Sequence, residues 1–199
     1  MRRTRATTLL SGGSSASSGR LRQPVSRVRE LADVARIRRF MQAFGAAAPR
    51  EGTCYLVGGA TAVLLGWRPT TIDVDIALDP EQDELLRALP AIKDELRINV
   101  ELASPRDFIP LPANWSERSP SVGREGRLTF KHFDLYSQTL AKLERGHTQD
   151  VEDARIMLKR GLVEIDRLRS AFDEIEPQLY RFPAIDPADF RRRVGEFTG

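Results

Sequence analysis

In the stretch "TTIDVDIAL", residues 70–78, two acids interrupt what otherwise reads as a buried β-strand. Side chains alternate between the two faces of a strand, so the acids Asp73 and Asp75 share one face. The other face carries Ile72, Val74 and Ile76. At about 3.3 Å of rise per residue, the two acids lie roughly 6.6 Å apart, close enough to reach one cation cluster. An edge strand with a solvated acidic face is the alternative.

The composition is that of one soluble globular domain with a helical appendage. The chain has 199 residues, of which 41% are hydrophobic and 30% are charged. No apolar run approaches the roughly 20 residues that span a bilayer, so no membrane partner is expected. The single Cys54 excludes an internal disulfide and a Cys-rich zinc site, which favours a reducing, cytoplasmic location. His132 and His147 are too few for a histidine-based metal centre.

The N-terminal segment differs from the rest in charge. The first 29 residues contain seven arginines and no acid. Residues 1–24 are rich in Ser and Gly and lack periodicity, which predicts a disordered basic tail. An Arg- and Ser-rich segment without acids also has the composition of an organellar transit peptide, and a misassigned start is a further alternative.

Periodicity predicts an α/β fold: a small mixed β-sheet core with flanking helices that gives way to a helical C-terminal half. The predicted strands are 54–57, 71–78, 97–103 and 128–133. The predicted helices are 27–45, 60–67, 79–96, 135–146, 148–161, 163–182 and 187–197. The domains predicted are a tail (1–24), a core (25–134) and a helical region (135–199).

Three local features refine this prediction. Asp79 is a candidate N-cap with Pro80 at the first helical position, and a bend or break is expected near Pro90. The Pro-containing run 104–127 is predicted to be a long irregular loop, and such loops are usually functional or mobile. Asp134 is a candidate N-cap for the helix that follows it.

A third acid joins the first two if the strand "RINVELA", residues 97–103, pairs beside them. Aligned apolar faces would place Glu101 next to Asp73 and Asp75. Three carboxylates on one sheet face suit Mg²⁺ or Mn²⁺. Two such ions about 3.5–4 Å apart can activate an attacking oxygen and neutralise a leaving phosphate. A solvated strand acid is the alternative for Glu101.

Two further groups could hold phosphate. Gly58 and Gly59 follow a strand and precede a helix, where backbone N–H groups can approach an anion closely, although most Gly-Gly pairs are simple turns. Lys142 and Arg145 lie three residues apart on one helical face, which could equally be a solvated side. Asp150 and Asp153 follow in the same segment. Arg68 could also reach phosphate, but a surface position fits it better.

Taken in order, these pieces resemble the polymerase-β-like nucleotidyltransferase superfamily. The matching motifs are "LVGG" at 56–59, "IDVDI" at 72–76 and "INVEL" at 98–102. The segment "KLERGHTQDVEDARIML" at 142–158 is similar to that of AbiE-type and MenT-type toxin nucleotidyltransferases. The resemblance covers roughly Tyr55 to Lys159. Gly59 departs from the pattern, since many members have a Ser there whose hydroxyl can contact triphosphate.

The resemblance implies a metal-dependent enzyme that transfers NMP from an NTP to an acceptor hydroxyl and releases pyrophosphate. Asp73, Asp75 and Glu101 would hold Mg²⁺ or Mn²⁺, and Glu101 would help deprotonate the acceptor. Gly58, Gly59, Lys142, Arg145, Asp150 and Asp153 would bind or orient the NTP.

The acceptor implied is RNA, a tRNA 3′ end, in a bacterial toxin–antitoxin or defence system with a possible cognate antitoxin. "RRR" at 191–193 is expected to add to an electropositive rim for RNA. The alternatives are an enzyme that transfers NMP to protein and a non-catalytic nucleotide-binding or antitoxin-like subunit.

Overall fold

The structure, a computed structural model, describes residues 30–199 and contains one mixed β-sheet. Its strands are β1 Gly52–Val57, β2 Asp73–Asp79, β3 Asn99–Leu102, β4 Ser121–Glu125 and β5 Leu128–His132. They lie in the order β3-β2-β1-β5-β4. The β1–β5 and β2–β3 pairs are parallel, whereas β1–β2 and β4–β5 are antiparallel. The predicted tail of residues 1–24 lies outside the described residues.

Helices flank this sheet and make up the C-terminal half, which confirms the predicted α/β class. They are α1 Val34–Ala47, α2 Gly58–Leu64, α3 Asp83–Leu96, α4 Trp115–Arg118, α5 Leu135–Arg145, α6 Thr148–Lys159, α7 Ile165–Ile175 and α8 Pro187–Thr198. Two 3₁₀ turns cover Pro105–Asp107 and Glu176–Arg181. None of the helices within residues 30–199 combines the length and the apolar character that crossing a membrane requires.

Two apolar clusters stabilise the two parts of the chain. One joins the sheet to α1 and α3 and includes Phe40, Phe44, Leu56, Ile76 and Phe130. The other joins α5, α7 and α8 and includes Leu140, Leu168, Phe172, Phe190 and Val194. Each fully buried side chain of this size stabilises the fold by about 1.5–3 kcal/mol relative to an exposed one. The predicted domain boundary after residue 134 stays a prediction.

The junction between β5 and α5 follows the sequence prediction. Asp134 caps α5, since its Oδ2 accepts hydrogen bonds from the backbone N–H of Ser137 at 3.0 Å and from the Ser137 hydroxyl at 2.6 Å. Gly146 ends the helix with φ +66°, the left-handed region that favours glycine. Only Phe133 and Asp134 separate β5 from α5.

The predicted start of the first helix is wrong within the described residues. The helix begins at Val34, because Asp33 caps it by accepting a hydrogen bond from the Arg36 backbone N–H at 2.8 Å. Ala32 instead forms a β-bridge with Thr71, and Leu31 is 56% exposed. The apolar spacing that continued back to Val28 therefore does not mark helix over residues 30–33.

The predicted Asp79 cap and the predicted irregular run 104–127 are also wrong, and of the bend or break expected near Pro90 the break is excluded. Asp79 is the last residue of β2, and α3 starts at Asp83 and continues unbroken through Pro90. The run 104–127 is not irregular, since it contains a 3₁₀ turn, α4 and β4.

Candidate active site

The pairing of β2 with β3 brings the predicted acids together at one edge of the sheet. The parallel register sets Asp73 opposite Asn99 and Asp75 opposite Glu101. On the opposite face, Val74, Ile76 and Val100 are buried, so the apolar faces align as the sequence predicts. Ile72 and Leu102, at the ends of these faces, are exceptions, with exposed fractions of 68% and 54%.

Asn99, which the sequence analysis missed, lies between two of these acids. Its Nδ2 donates to Asp73 Oδ1 at 2.5 Å and to Glu101 Oε1 at 2.9 Å. The amide therefore bridges a carboxylate on each strand. The available signal was its position two residues before Glu101, which places it on the acidic face of β3.

The environment of Asp75 disfavours the charged form of its carboxyl group. Burial raises the pKa of Asp75, and the negative charges of Asp73 and Glu101 raise it further, to about 6. The positive charges of Arg145 and Lys142 act in the opposite direction without cancelling this effect. The carboxylate edge thus carries an excess of negative charge.

The two glycines occupy tight positions beside these acids. Gly58 has φ +54°, and a Cβ there would lie 3.1 Å from Asp75 Oδ2. A Cβ on Gly59 would collide with Thr71 Oγ1, the hydroxyl that donates to the Asp73 carbonyl at 2.9 Å. Close packing of α2 on the start of β2 therefore explains glycine at position 59, where a serine would not fit.

The backbone N–H of Gly58, predicted to face phosphate, already has a partner. It donates to Gln138 Oε1 on α5 at 2.8 Å. Gln138 is buried, and its Nε2 donates to the Phe133 carbonyl at 2.9 Å and to Thr61 Oγ1 at 3.3 Å. No sequence pattern marks Gln138, which is a single polar residue on a helix. The roles of Gly58 and Gly59 toward NTP stay predictions.

Lys142 is held on the facing wall by two acids of α6. Its Nζ donates to Asp150 Oδ1 and to Asp153 Oδ2, both at 2.8 Å, and the side chain is almost fully buried. Arg145 Nη2 donates to the same Asp150 oxygen at 2.9 Å. Within residues 30–199, these bonds take two of the three ammonium protons, so one proton can serve a ligand.

Asp153 is the buried centre of this network. Arg68 donates to it through Nε at 3.1 Å and Nη2 at 2.5 Å, and Trp67 Nε1 donates at 3.2 Å. Burial raises the pKa of Asp153, but the hydrogen bonds and charges of Lys142 and Arg68 outweigh burial and hold it below its usual value. Arg68, a weak phosphate candidate in the sequence, is thus bound to Asp153.

A cleft of about 210 Å³ separates the carboxylate edge from Lys142 and Arg145. Its lining comprises Val57, Gly58, Asp75, Glu101, Ala103, Ser104, Pro105, Phe108, Gln138, Ala141, Lys142 and Arg145. Five predicted site residues therefore share one cavity, two of them acidic and two basic. Asp73, Gly59, Asp150 and Asp153 are not part of the lining. The last two lie against Lys142 and orient its ammonium group.

The donor chemistry of the carboxylate edge fits a hard divalent cation. Asp73, Asp75 and Glu101 supply only oxygen, the ligand type that Mg²⁺ and Mn²⁺ prefer. Within residues 30–199, no three side chains of Asp, Glu, His or Cys lie together in an arrangement that could hold a metal ion. The Asn99 amide instead satisfies Asp73 and Glu101 with two hydrogen bonds.

Comparison with known proteins assigns the chain to a family. Residues 33–191 match the family described as "Nucleotidyltransferase of unknown function (DUF6036)". The chain belongs to this family. No curated protein and no solved structure matches it. The assignment supports a nucleotidyltransferase that uses an NTP, whereas the closer likeness to AbiE-type and MenT-type toxins stays a prediction.

The three arginines at 191–193, which were expected to add to an electropositive rim, all form ion pairs, and their contact with RNA stays a prediction. Arg191 pairs with Glu176 at 2.6 Å, and Arg192 pairs with Asp189 and with Glu196. Arg193 pairs with Asp189 at 2.5 Å and donates to the Glu144 carbonyl. Acids on the same or the preceding helical segment therefore neutralise this cluster.

Proposed function

We propose that this chain is a metal-dependent nucleotidyltransferase that moves NMP from an NTP to an acceptor hydroxyl. The observation that carries the proposal is the cleft, in which Asp75 and Glu101 on paired strands face Lys142 and Arg145 on α5. Carboxylates opposite fixed cations are what a metal-bound triphosphate requires. The family assignment supports the reaction class.

In the proposed reaction, the acceptor hydroxyl oxygen forms a bond to the α-phosphorus of the NTP. The bond from that phosphorus to the oxygen bridging the β-phosphate breaks, and pyrophosphate leaves with the electron pair. Glu101 takes the hydroxyl proton, and Lys142 offsets charge on the phosphates through its remaining ammonium proton. Asp150 and Asp153 hold the Lys142 side chain in position for this contact.

Asp73, Asp75 and Glu101 are the residues that would hold Mg²⁺ or Mn²⁺. A bound divalent cation would neutralise phosphate charge and lower the pKa of the attacking oxygen. Asn99 would have to release at least one carboxylate for all three to share an ion, because its amide occupies Asp73 Oδ1 and Glu101 Oε1.

RNA, specifically a tRNA 3′ end, is the acceptor in this proposal, and the enzyme acts as a toxin with a cognate antitoxin. Support for this part comes from the likeness of residues 142–158 to AbiE-type and MenT-type enzymes. The charge pattern adds the basic segment 1–29 but no longer Arg191–Arg193, whose charges are paired.

A labelling experiment tests the proposal. The purified chain is incubated with Mg²⁺, each of the four α-³²P-labelled NTPs in turn, total bacterial RNA and a bacterial protein extract. With the wild-type protein, label is expected to appear in RNA. With Asp75→Asn, or with wild type in EDTA, no label is expected in RNA. Asp79→Asn is the matched control, since Asp79 lies at the exposed end of the same strand.

The other outcomes are equally informative. Label in protein rather than RNA would replace the acceptor and favour an enzyme that modifies proteins. Full activity in Asp75→Asn, or no need for a divalent cation, would refute the catalytic assignment. NTP binding without transfer to either acceptor would favour a non-catalytic partner subunit.

A further inference from the structure

An exposed aromatic ring lies on the wall of the cleft. Phe108 is 40% exposed and lines the same cavity as Asp75, Glu101 and Lys142. Large aromatic side chains usually stabilise proteins by burial. A phenyl ring open to a polar, charged cleft therefore suggests a ligand with an apolar face.

The backbone fixes this ring relative to the carboxylates. Phe108 follows the 3₁₀ turn Pro105–Asp107, which begins shortly after β3, the strand that carries Glu101. Asp107 Oδ2 accepts a hydrogen bond from the Ser104 backbone N–H at 2.7 Å, and the Phe108 N–H donates to the Pro105 carbonyl at 3.0 Å. The next residue, Ile109, is fully buried in the helical core. The ring is thus carried by a short, hydrogen-bonded segment.

A cation lies beside the ring. The guanidinium carbon of Arg145 is 5.7 Å from the centroid of the Phe108 ring, within the range of a cation–π interaction. The same guanidinium donates to Asp150, which also binds Lys142. Arg145 lies about one helical turn from Lys142, so the Phe108 ring, which contacts Arg145, lies farther along α5 than the Lys142 ammonium group.

We propose that Phe108, with Arg145 beside it, is the platform on which the base of the incoming NTP stacks. This inference rests on the proposed function, because it assumes that the triphosphate lies between Lys142 and the carboxylates. The base then extends along α5 toward Phe108. Every base has a π face, so the ring contributes affinity without selecting a base, and all four NTPs depend on it to a similar degree.

Calorimetric binding of each NTP and of inorganic triphosphate, with Mg²⁺ and without an acceptor, tests the platform. Phe108→Ala and Phe108→Leu are expected to weaken NTP binding about tenfold, the usual effect of removing one stacking ring. Phe108→Trp is expected to bind NTP at least as tightly as wild type. All three variants should bind inorganic triphosphate within about twofold of wild type, because it has no base.

Two controls separate stacking from structural damage. Tyr180→Ala removes an aromatic ring that is 82% exposed and not part of the cleft lining, and it should change neither affinity. Phe108→Leu keeps the apolar volume at the site, so it tests stacking even if Phe108→Ala unfolds. Thermal unfolding of every variant is recorded alongside.

Three results would overturn the platform. The first is unchanged NTP binding in Phe108→Leu. The second is an equal loss of NTP and triphosphate binding, which would indicate a distorted cleft. The third, from a transfer assay on the same variants with RNA as acceptor, is a rise only in the KM for RNA, which would assign the ring to the acceptor. If wild type binds neither NTP nor triphosphate, the proposed function fails and the platform fails with it.

Discussion

The cleft has two walls that differ in how their buried charges are balanced. The sheet wall is the edge formed by β2 and β3, and the helical wall is formed by α5 and α6 around Lys142. On the sheet wall, three acids share one edge, and repulsion and burial raise the pKa of Asp75 to about 6. On the helical wall, Lys142 is buried but bound by two acids, and the pKa of Asp153 is lowered. Within the described chain, no basic side chain forms an ion pair with the acids of the first wall, and the charges of Arg145 and Lys142 across the cleft do not cancel their repulsion. The second wall supplies its own counter-charges.

This difference indicates which wall depends on a ligand. A group of like charges is destabilising unless a cation is added, whereas a paired network is stable without one. Removing one charge should therefore have opposite effects on the two walls.

Asp75→Asn is expected to lower the transfer rate by about 10³-fold or more, because a bound metal stabilises transition-state charge by several kcal/mol. In EDTA the same variant should unfold at a higher temperature than wild type, since it removes a charge that burial and two neighbouring acids disfavour. Single-turnover kinetics and calorimetry measure the two effects. A less stable Asp75→Asn protein would contradict the contrast.

Lys142→Ala should show the opposite behaviour, with a loss of about 3 kcal/mol of unfolding free energy. The substitution removes two charge-assisted hydrogen bonds to buried carboxylates, which leaves Arg145 as the partner of Asp150 and Arg68 as the charged partner of Asp153. NTP binding should also weaken about tenfold through the lost phosphate contact. Lys159→Ala, at the exposed end of α6, is the control. Wild-type stability in Lys142→Ala would show that the helical wall is not a paired network.

His132, the last residue of β5, is expected to make the stability of the fold sensitive to acid. It is buried, its Nδ1 lies 3.1 Å from Thr61 Oγ1, and burial lowers its pKa to about 4. Because the unfolded chain binds a proton near pH 6.5, stability from the neutral ring is complete above that pH. It is lost as pH falls toward 4, by at most roughly 3 kcal/mol. The difference in denaturant stability between wild type and His132→Asn should therefore shrink over this range. A constant difference would refute it.

The smallest effect is expected at the arginines of α8. Replacing Arg192 with Ala should change RNA affinity less than twofold and leave its salt dependence unaltered, because both nearby acids already pair with it. Deleting residues 1–24 should flatten the salt dependence if that segment holds RNA phosphates. Filter binding from low to moderate salt compares the two proteins. A large loss of RNA affinity in Arg192→Ala would show that these arginines bind RNA despite their ion pairs.

Strand periodicity made the carboxylate edge predictable from sequence. Alternation in residues 72–76 and 98–102 fixes which side chains share a face, and aligned apolar faces then bring Asp75 beside Glu101. The Asp134 cap was equally readable, because capping is local chemistry. Both predictions depend only on neighbours in the sequence or on one strand pair.

The features that the sequence did not predict depend on distant contacts. Gln138 accepts a hydrogen bond from the backbone N–H of Gly58, which lies 80 residues away in the sequence. Arg68 resembled a surface residue, yet its partner Asp153 lies 85 residues away. The strand β4 was missed because "SVGRE" has no apolar alternation, and its pairing with β5 supplies the order. Local sequence patterns do not reveal partners that are so distant in the sequence.

The short junction between β5 and α5 limits how the gene can change. Only Phe133 and Asp134 join the strand to the helix that presents Lys142 and Arg145 to the sheet. One inserted codon there would displace the start of α5, and with it Lys142 and Arg145, relative to the acids. Insertions and deletions among homologous genes should therefore be rare at residues 133 and 134.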